Sequence, residues 1–124
     1  AEPVYAFAVV GRPVSLLEPV LATIGPAGSA SIVHDLIYGG STIQVRPPGI
    51  SKWSGVLAYC ADQGIDPGRI LAVGDGANDL ELLDGAAVAC AVATATPAVR
   101  ARADHIVGPP ASGGWADVLN LVGR

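Results

Sequence analysis

Two spacings of apolar residues alternate along this chain. Short unbroken apolar runs are separated by stretches in which apolar residues recur every three or four positions, the patterns of strands and of amphipathic helices. The first run, VYAFAVV at 4–10, reads as a buried strand closed by a turn at Gly11-Arg12-Pro13. SLLEPVLATIG at 15–25 has helical spacing, and Pro19 within it is expected to make the helix start late or kink. SIVHDLIY and STIQVR then flank Gly39-Gly40, and two glycines able to take positive φ predict a β-hairpin.

Pro47-Pro48-Gly49 ends that hairpin, and Ser51 is the expected cap of a helix that runs to about Gln63 and stops at Gly64. Its predicted apolar face is Val56, Leu57, Tyr59 and Cys60. RILAVG is short and wholly apolar apart from its first residue, as a buried strand of a parallel sheet would be. A helix near Asp79–Leu83, a strand at Val88–Val92, a helix at Pro97–Ala103, a strand at His105–Val107 and a helix at Trp115–Val122 complete the pattern. From Ser51 onward, helix and strand alternate strictly. That order predicts an α/β fold with a parallel sheet between two helical layers, and such sheets bind ligands at the carboxyl ends of their strands. The only organisational break is Pro-Pro-Gly, which predicts two segments, 1–46 and 47–124.

Composition narrows the function classes. The chain has 124 residues, 51% of them apolar, with 16 glycines and 10 prolines, a small, turn-rich globular protein rather than a disordered one. A net charge of −4 with no basic cluster argues against nucleic acid and anionic membrane as partners. Cys60 and Cys90 lie in apolar surroundings without CxxC spacing; they read as buried free thiols, which favours the cytoplasm. The apolar stretch Ala86–Ala95 is far short of the ~20 residues that span a bilayer, and no leader pattern is present. The chain lacks methionine and begins at Ala1, which reads as a processed, excised or tag-cleaved segment. Lys52 is the only lysine among seven basic residues, a composition that fits a GC-rich bacterial genome.

The chemistry concentrates in GDGAND at 74–79, directly behind the apolar strand. Asp75 and Asp79 stand four apart across a strand-to-helix turn, so both carboxylates can face one cavity. Close carboxylates raise each other's pKa unless a cation lies between them, and their hard oxygens suit Mg²⁺. Asn78 can donate to a phosphate oxygen, and Gly74 and Gly76 let the backbone approach closely. The plainer alternative is a helix cap and an ordinary turn. An EF-hand is excluded, because counting Asp75 as position one places Ala77 at three and Ala86 at twelve. Neither a Walker loop nor a dinucleotide fingerprint occurs. Lys52, at the start of the preceding helix, can bring a compact positive charge to the same sheet edge.

Residues 41–122, with Ser51-Lys52 followed about twenty residues later by GDGANDLELL, resemble the C-terminal half of haloacid dehalogenase (HAD) superfamily phosphatases, specifically the Cof-like sugar-phosphatase branch. The resemblance implies a Rossmann-like three-layer αβα core, incomplete here, preceded by a βα unit and a β-hairpin from the end of a substrate-selecting cap. It implies that Lys52 neutralises the phosphoryl group, that Asp75 and Asp79 help hold Mg²⁺, and that Asn78 and Gly76 lie at the phosphate. The implied substrate is a small phosphorylated metabolite.

The departures are as informative. The family's nucleophile and acid/base lie in an Asp-x-Asp motif, and this chain has none. Ala91-Val92-Ala93-Thr94 replaces a segment often read as Ala-Met-Gly-Asn, and Trp53 replaces a small residue after the lysine and is expected simply to pack. The resulting expectation is the C-terminal portion of a Mg²⁺-dependent phosphatase, inactive or nearly so alone, whose nucleophile lies in a missing N-terminal half or another chain. Such a portion would expose an uncovered flank and self-associate. The alternative is a non-enzymatic module that keeps the metal and phosphate cradle, or only the fold, for binding.

Overall fold

In the computed structural model, which describes residues 5–122, period-two alternation in STIQVR sends Ile43 and Val45 to one side of a strand, where both are buried. This strand is the centre of an antiparallel sheet ordered β1-β3-β2, built from β1 (Phe7–Arg12), β2 (Ser29–His34) and β3 (Ser41–Arg46). Leu17 of helix α1 (Val14–Ile24) buries itself against Ile43 and Val45, with Leu21, Ile24, Ala30 and Ile32 packed around them. The helix does not start late at Pro19; it begins one residue before the predicted stretch and carries Pro19 inside. Burial of Leu17 and its neighbours outweighs the one backbone hydrogen bond that proline removes.

The predicted hairpin forms, with Ile32 opposite Ile43 and Ala30 opposite Val45. Its first strand ends at His34 rather than Tyr38, because Asp35 folds the connection back on itself. The Asp35 carboxylate accepts from the backbone N–H of Ile37 (3.0 Å) and Tyr38 (2.9 Å) and from the Thr42 hydroxyl. These donors, the hydroxyl foremost, hold its pKa below the usual carboxylate value. Gly39 and Gly40 take φ of 74° and 69°, as the turn requires. Leu36, Ile37 and Tyr38 stand exposed at its tip.

The first strand departs from expectation. Residues 7–10 are exposed rather than buried, Phe7 at 58% and Val9 at 42%, because α1 packs chiefly over β2 and β3 rather than β1. The expected turn at Gly11-Arg12 is instead a register irregularity within the strand, after which Arg12 pairs with Ser41.

The chain divides into two compact units at the Ser51–Lys52 bond. The second contains α2 (Lys52–Gln63), β4 (Leu71–Gly74), α3 (Leu80–Gly85), β5 (Val88–Val92), α4 (Pro97–Arg100), β6 (His105–Val107) and α5 (Trp115–Leu119). Its strands form the predicted parallel sheet, ordered β4-β5-β6, with Val73 opposite Cys90 and Ala91 opposite Ile106. β5 is central, and Ala89 through Val92 are all buried; a strand covered on both faces has no polar alternation to show. Ala72, Leu83, Ala95, Val99 and Val107 complete this core. Both thiols are free and buried as expected.

Gly64, at φ 65°, stops α2, and the Ile65 N–H donates back to the Cys60 carbonyl at 2.9 Å, a glycine-terminated helix end. The packed face of α2 differs from expectation: Cys60 is buried and Trp53 and Val56 half-buried, whereas Leu57 and Tyr59 are exposed. At about 100° per residue, Trp53, Val56 and Cys60 share an arc of about 60°, and Tyr59 falls well outside it. The last two helices are shorter than predicted, α4 ending at Arg100 and α5 at Leu119. Asp104 ends the first of these stretches by bonding both backbone groups of Ala89, its N–H to the carbonyl (2.8 Å) and its carboxylate to the N–H (2.9 Å). No helix among the described residues is long and apolar enough to cross a membrane.

Leu83, 2% exposed beneath the sheet, gives the first prediction. Leu83→Ala should lower unfolding free energy by about 2–5 kcal/mol in urea titration; a loss below about 1 kcal/mol would contradict a single packed core in this unit.

Candidate active site

The acidic turn is organised around one carboxylate. β4 ends at Gly74, the chain turns through Asp75 and Gly76, and a single 3-10 turn, Ala77–Asp79, leads into α3. Asp79 is 4% exposed. One of its oxygens, Oδ2, accepts from the backbone N–H of Asp75 (3.0 Å) and Gly76 (3.2 Å), and Oδ1 accepts from Lys52 Nζ at 2.5 Å. Burial alone would raise the Asp79 pKa; the Lys52 hydrogen bond, the two backbone donors and the lysine charge together pull it below the ordinary value. The cation paired with the buried carboxylate is the chain's own ammonium.

Gly74 is glycine for a steric reason. A Cβ there would fall 2.6 Å from Cβ of Asp79, so any side chain would displace the carboxylate. Asp75 is pinned through its carbonyl, which accepts from Thr96 N–H at 3.1 Å in the loop after β5. Its side chain is exposed, with no hydrogen-bond partner among the described residues.

Lys52, Asp75 and Asp79 line a cavity of about 250 Å³ with Val73, Gly74, Val92, Pro110 and Trp115. The lysine side chain is 45% exposed and its carboxylate partner 5%, so the pair presents its positive end. An ammonium carries three N–H donors, leaving two beyond the one given to Asp79. Three predicted residues are thus brought together, while Asn78 and Gly76 do not line the cavity. Asn78 is half-buried, its Oδ1 2.9 Å from where a Gly76 Cβ would sit, and so it covers the turn rather than facing the cleft.

Sequence reasoning missed Pro110 and the exposed Trp115, read there only as a helix start. The signal was a large aromatic directly after Gly113-Gly114, where backbone crowding is extreme: a Cβ on Gly114 would lie 1.9 Å from the Gly108 carbonyl oxygen. Trp53 packs, as expected, with its indole against Gly85.

The donor chemistry can be tested against Mg²⁺. No group of three His, Cys, Asp or Glu side chains suited to a metal occurs among the described residues. Mg²⁺ characteristically takes one or two carboxylates and completes its octahedron with water and phosphate oxygens. The free Asp75 carboxylate on the rim, beside Asp79, fits one side of such a shell.

A parallel sheet with a lysine-paired acidic turn at the carboxyl end of β4 is the Rossmann-like α/β arrangement that binds ligands at its strand ends. The chain belongs to the haloacid dehalogenase-like hydrolases, whose family profile matches residues 30–119. It is 34% identical over 95 residues to a phosphoglycolate phosphatase of Methanopyrus kandleri, covering 77% of this chain and 39% of that protein. In fold it is similar to a solved HAD subclass IIB sugar phosphatase, at TM-score 0.78 and 23% identity, over 96% of this chain and 43% of that one. It is also similar to a haloacid dehalogenase-like hydrolase from B. subtilis, at TM-score 0.80 and 17% identity, over 95% of this chain and 40% of that one. The chain spans less than half the length of the curated relatives it matches.

The lowered Asp79 pKa sets a pH dependence. Stability from ionised Asp79 is fully present above the unfolded-state value, about 3.9, and is lost as pH falls through the lower folded-state value. Asp79→Asn should therefore be less stable than wild type at pH 7, and the gap should close in acid. Asp35 titrates in the same direction, so the wild-type-minus-variant difference in thermal unfolding is the readout; a gap independent of pH from 7 to 2 would contradict the assignment.

Proposed function

We propose that this chain supplies the lysine and acidic-turn half of a Mg²⁺-dependent phosphatase that hydrolyses a small phosphorylated metabolite, such as a sugar phosphate. The observation that carries the proposal is the Lys52–Asp79 pair, whose positive end is presented at the cavity while its negative end is buried. A phosphoryl group entering there meets a cation already oriented, and orientation before reaction is what makes electrostatic stabilisation effective.

Each residue then has a distinct part. Lys52 donates to the phosphoryl oxygens and balances their charge. Asp79 fixes Lys52 and the turn backbone and adds negative charge beside Asp75. Asp75 would hold Mg²⁺ with Asp79 next to it, and the ion would supply Lewis-acid stabilisation of phosphoryl charge. Asn78 and Gly76 shape the turn and reach a phosphate only if the Asn78 carboxamide rotates outward.

The nucleophile is not in these 124 residues, which contain no Asp-x-Asp. In the proposed full protein it lies in a further N-terminal half, and residues 1–46 are the end of the cap. The edge of β4, which among the described residues pairs only with β5, is where the nucleophile strand would add. Lacking it, the 124-residue chain should self-associate at micromolar concentration in sedimentation and hydrolyse no phosphoester; a monomer would contradict the open-edge reading.

The decisive assay uses this chain together with the coding sequence upstream of Ala1, tested on phosphomonoesters with Mg²⁺. Turnover is expected, and Lys52→Ala should lower kcat/KM by about 10²–10³-fold. An upstream sequence without Asp-x-Asp, or turnover indifferent to Lys52→Ala, would overturn the proposal.

A further inference from the structure

Lys52 and Trp53 are consecutive, the first two residues of α2, and they grip opposite ends of the same short helix. Lys52 bonds Asp79, the residue immediately before α3, and Trp53 lies against Gly85, the last residue of α3. A six-residue helix is about 9 Å long, so these contacts are well separated.

The contact with Gly85 is close enough to dictate residue type. A Cβ there would sit 2.1 Å from Trp53 Cε2 and 2.4 Å from both Cδ2 and Nε1. Gly85 is not among the glycines with positive φ, so its backbone is one that any residue adopts. What the position demands is room for the indole. Trp53 is also half-buried on the stripe that continues through Val56 to buried Cys60, which ties its seat to the rest of α2.

From this geometry we infer that Trp53 is the positioning residue for Lys52. The inference rests on the reading of Lys52 as the phosphoryl-binding cation, although its test does not. A lysine side chain has four flexible methylenes, so the Asp79 contact holds Nζ without by itself fixing the Lys52 Cα. The Trp53 contact at the far end of α3 restrains the backbone that carries Lys52. It adds a steric anchor to the polar one that holds the ammonium over the cavity beside Asp75.

Lys52 is the only lysine, so its acylation by an amine-reactive ester can be read by peptide mass against Nα-acetyl-lysine in the same tube. In the full 124-residue chain, Asp79→Asn gives the rate of the unpaired ammonium. Trp53→Ala and Gly85→Ala should each raise the Lys52 rate by about threefold over wild type, the scale of a loosened ion pair. Trp53→Phe, which keeps a ring on Gly85, should restore the wild-type rate. Each comparison is made below the melting transition of the variant. If Trp53→Ala does not fold, Gly85→Ala and Trp53→Phe decide. A folded Trp53→Ala or Gly85→Ala chain that labels at the wild-type rate, whatever its Tm, would overturn the inference, as would equal acceleration by Phe and Ala. Turnover by the longer protein that is indifferent to Lys52→Ala, with this labelling pattern intact, would overturn the phosphatase reading instead and leave the positioning role standing.

Discussion

Everything at the candidate site depends on one buried carboxylate. Asp79 closes the turn after β4 by accepting two backbone N–H groups on one oxygen, and it captures the ammonium of Lys52 on the other. A buried charge with fewer partners would be strongly destabilising; this one is compensated on both sides. Gly74 must lack a side chain for the carboxylate to lie where it does. The lysine must come from the first residue of α2, and Trp53 follows it onto α3. Turn, strand end and two helices are thereby coupled through a single functional group.

That coupling divides the acidic pair. Asp79 is already committed within the protein, whereas Asp75 stands exposed with its backbone pinned by Thr96 and its carboxylate without a hydrogen-bond partner among the described residues. Two aspartates that look equivalent in GDGAND therefore differ in what they can do. The buried one organises a cation, and the exposed one is available to a hard ion. Under the proposed phosphatase reading, this division lets Asp79 fix the ammonium from behind while the ammonium's other N–H groups face the cavity.

Much of this was legible in the sequence because strong local signals agreed with the fold. Val88–Val92 and His105–Val107 are strands at their predicted limits, and Gly64 stops α2 where expected. The parallel sheet followed from alternation alone, and the convergence of Lys52, Asp75 and Asp79 followed from motif spacing. What failed was whatever depends on neighbours far along the chain. The residues of β1 look like a core strand, but burial is set by which strands the helix covers, and α1 packs chiefly over β2 and β3. Leu57 is as apolar as Val56, and only the angle about the helix axis separates them. Asp35 shortened β2 through side-chain bonds to its own turn, a competition between local and ladder bonding that apolar spacing does not register. Trp115 reached the cavity through a tight glycine crossing that no periodicity encodes.

The account is tested most directly by amide hydrogen exchange at Asp75 and Gly76. Both N–H groups sit in a turn, outside any sheet or helix ladder, and their acceptor is the Asp79 carboxylate. If that carboxylate organises the site, the two amides exchange far more slowly than in an unstructured peptide at neutral pH, and replacing Asp79 with alanine releases them together. Exchange at the unstructured rate in the unaltered chain would show that the turn is not held by Asp79, and the site built on it would not stand.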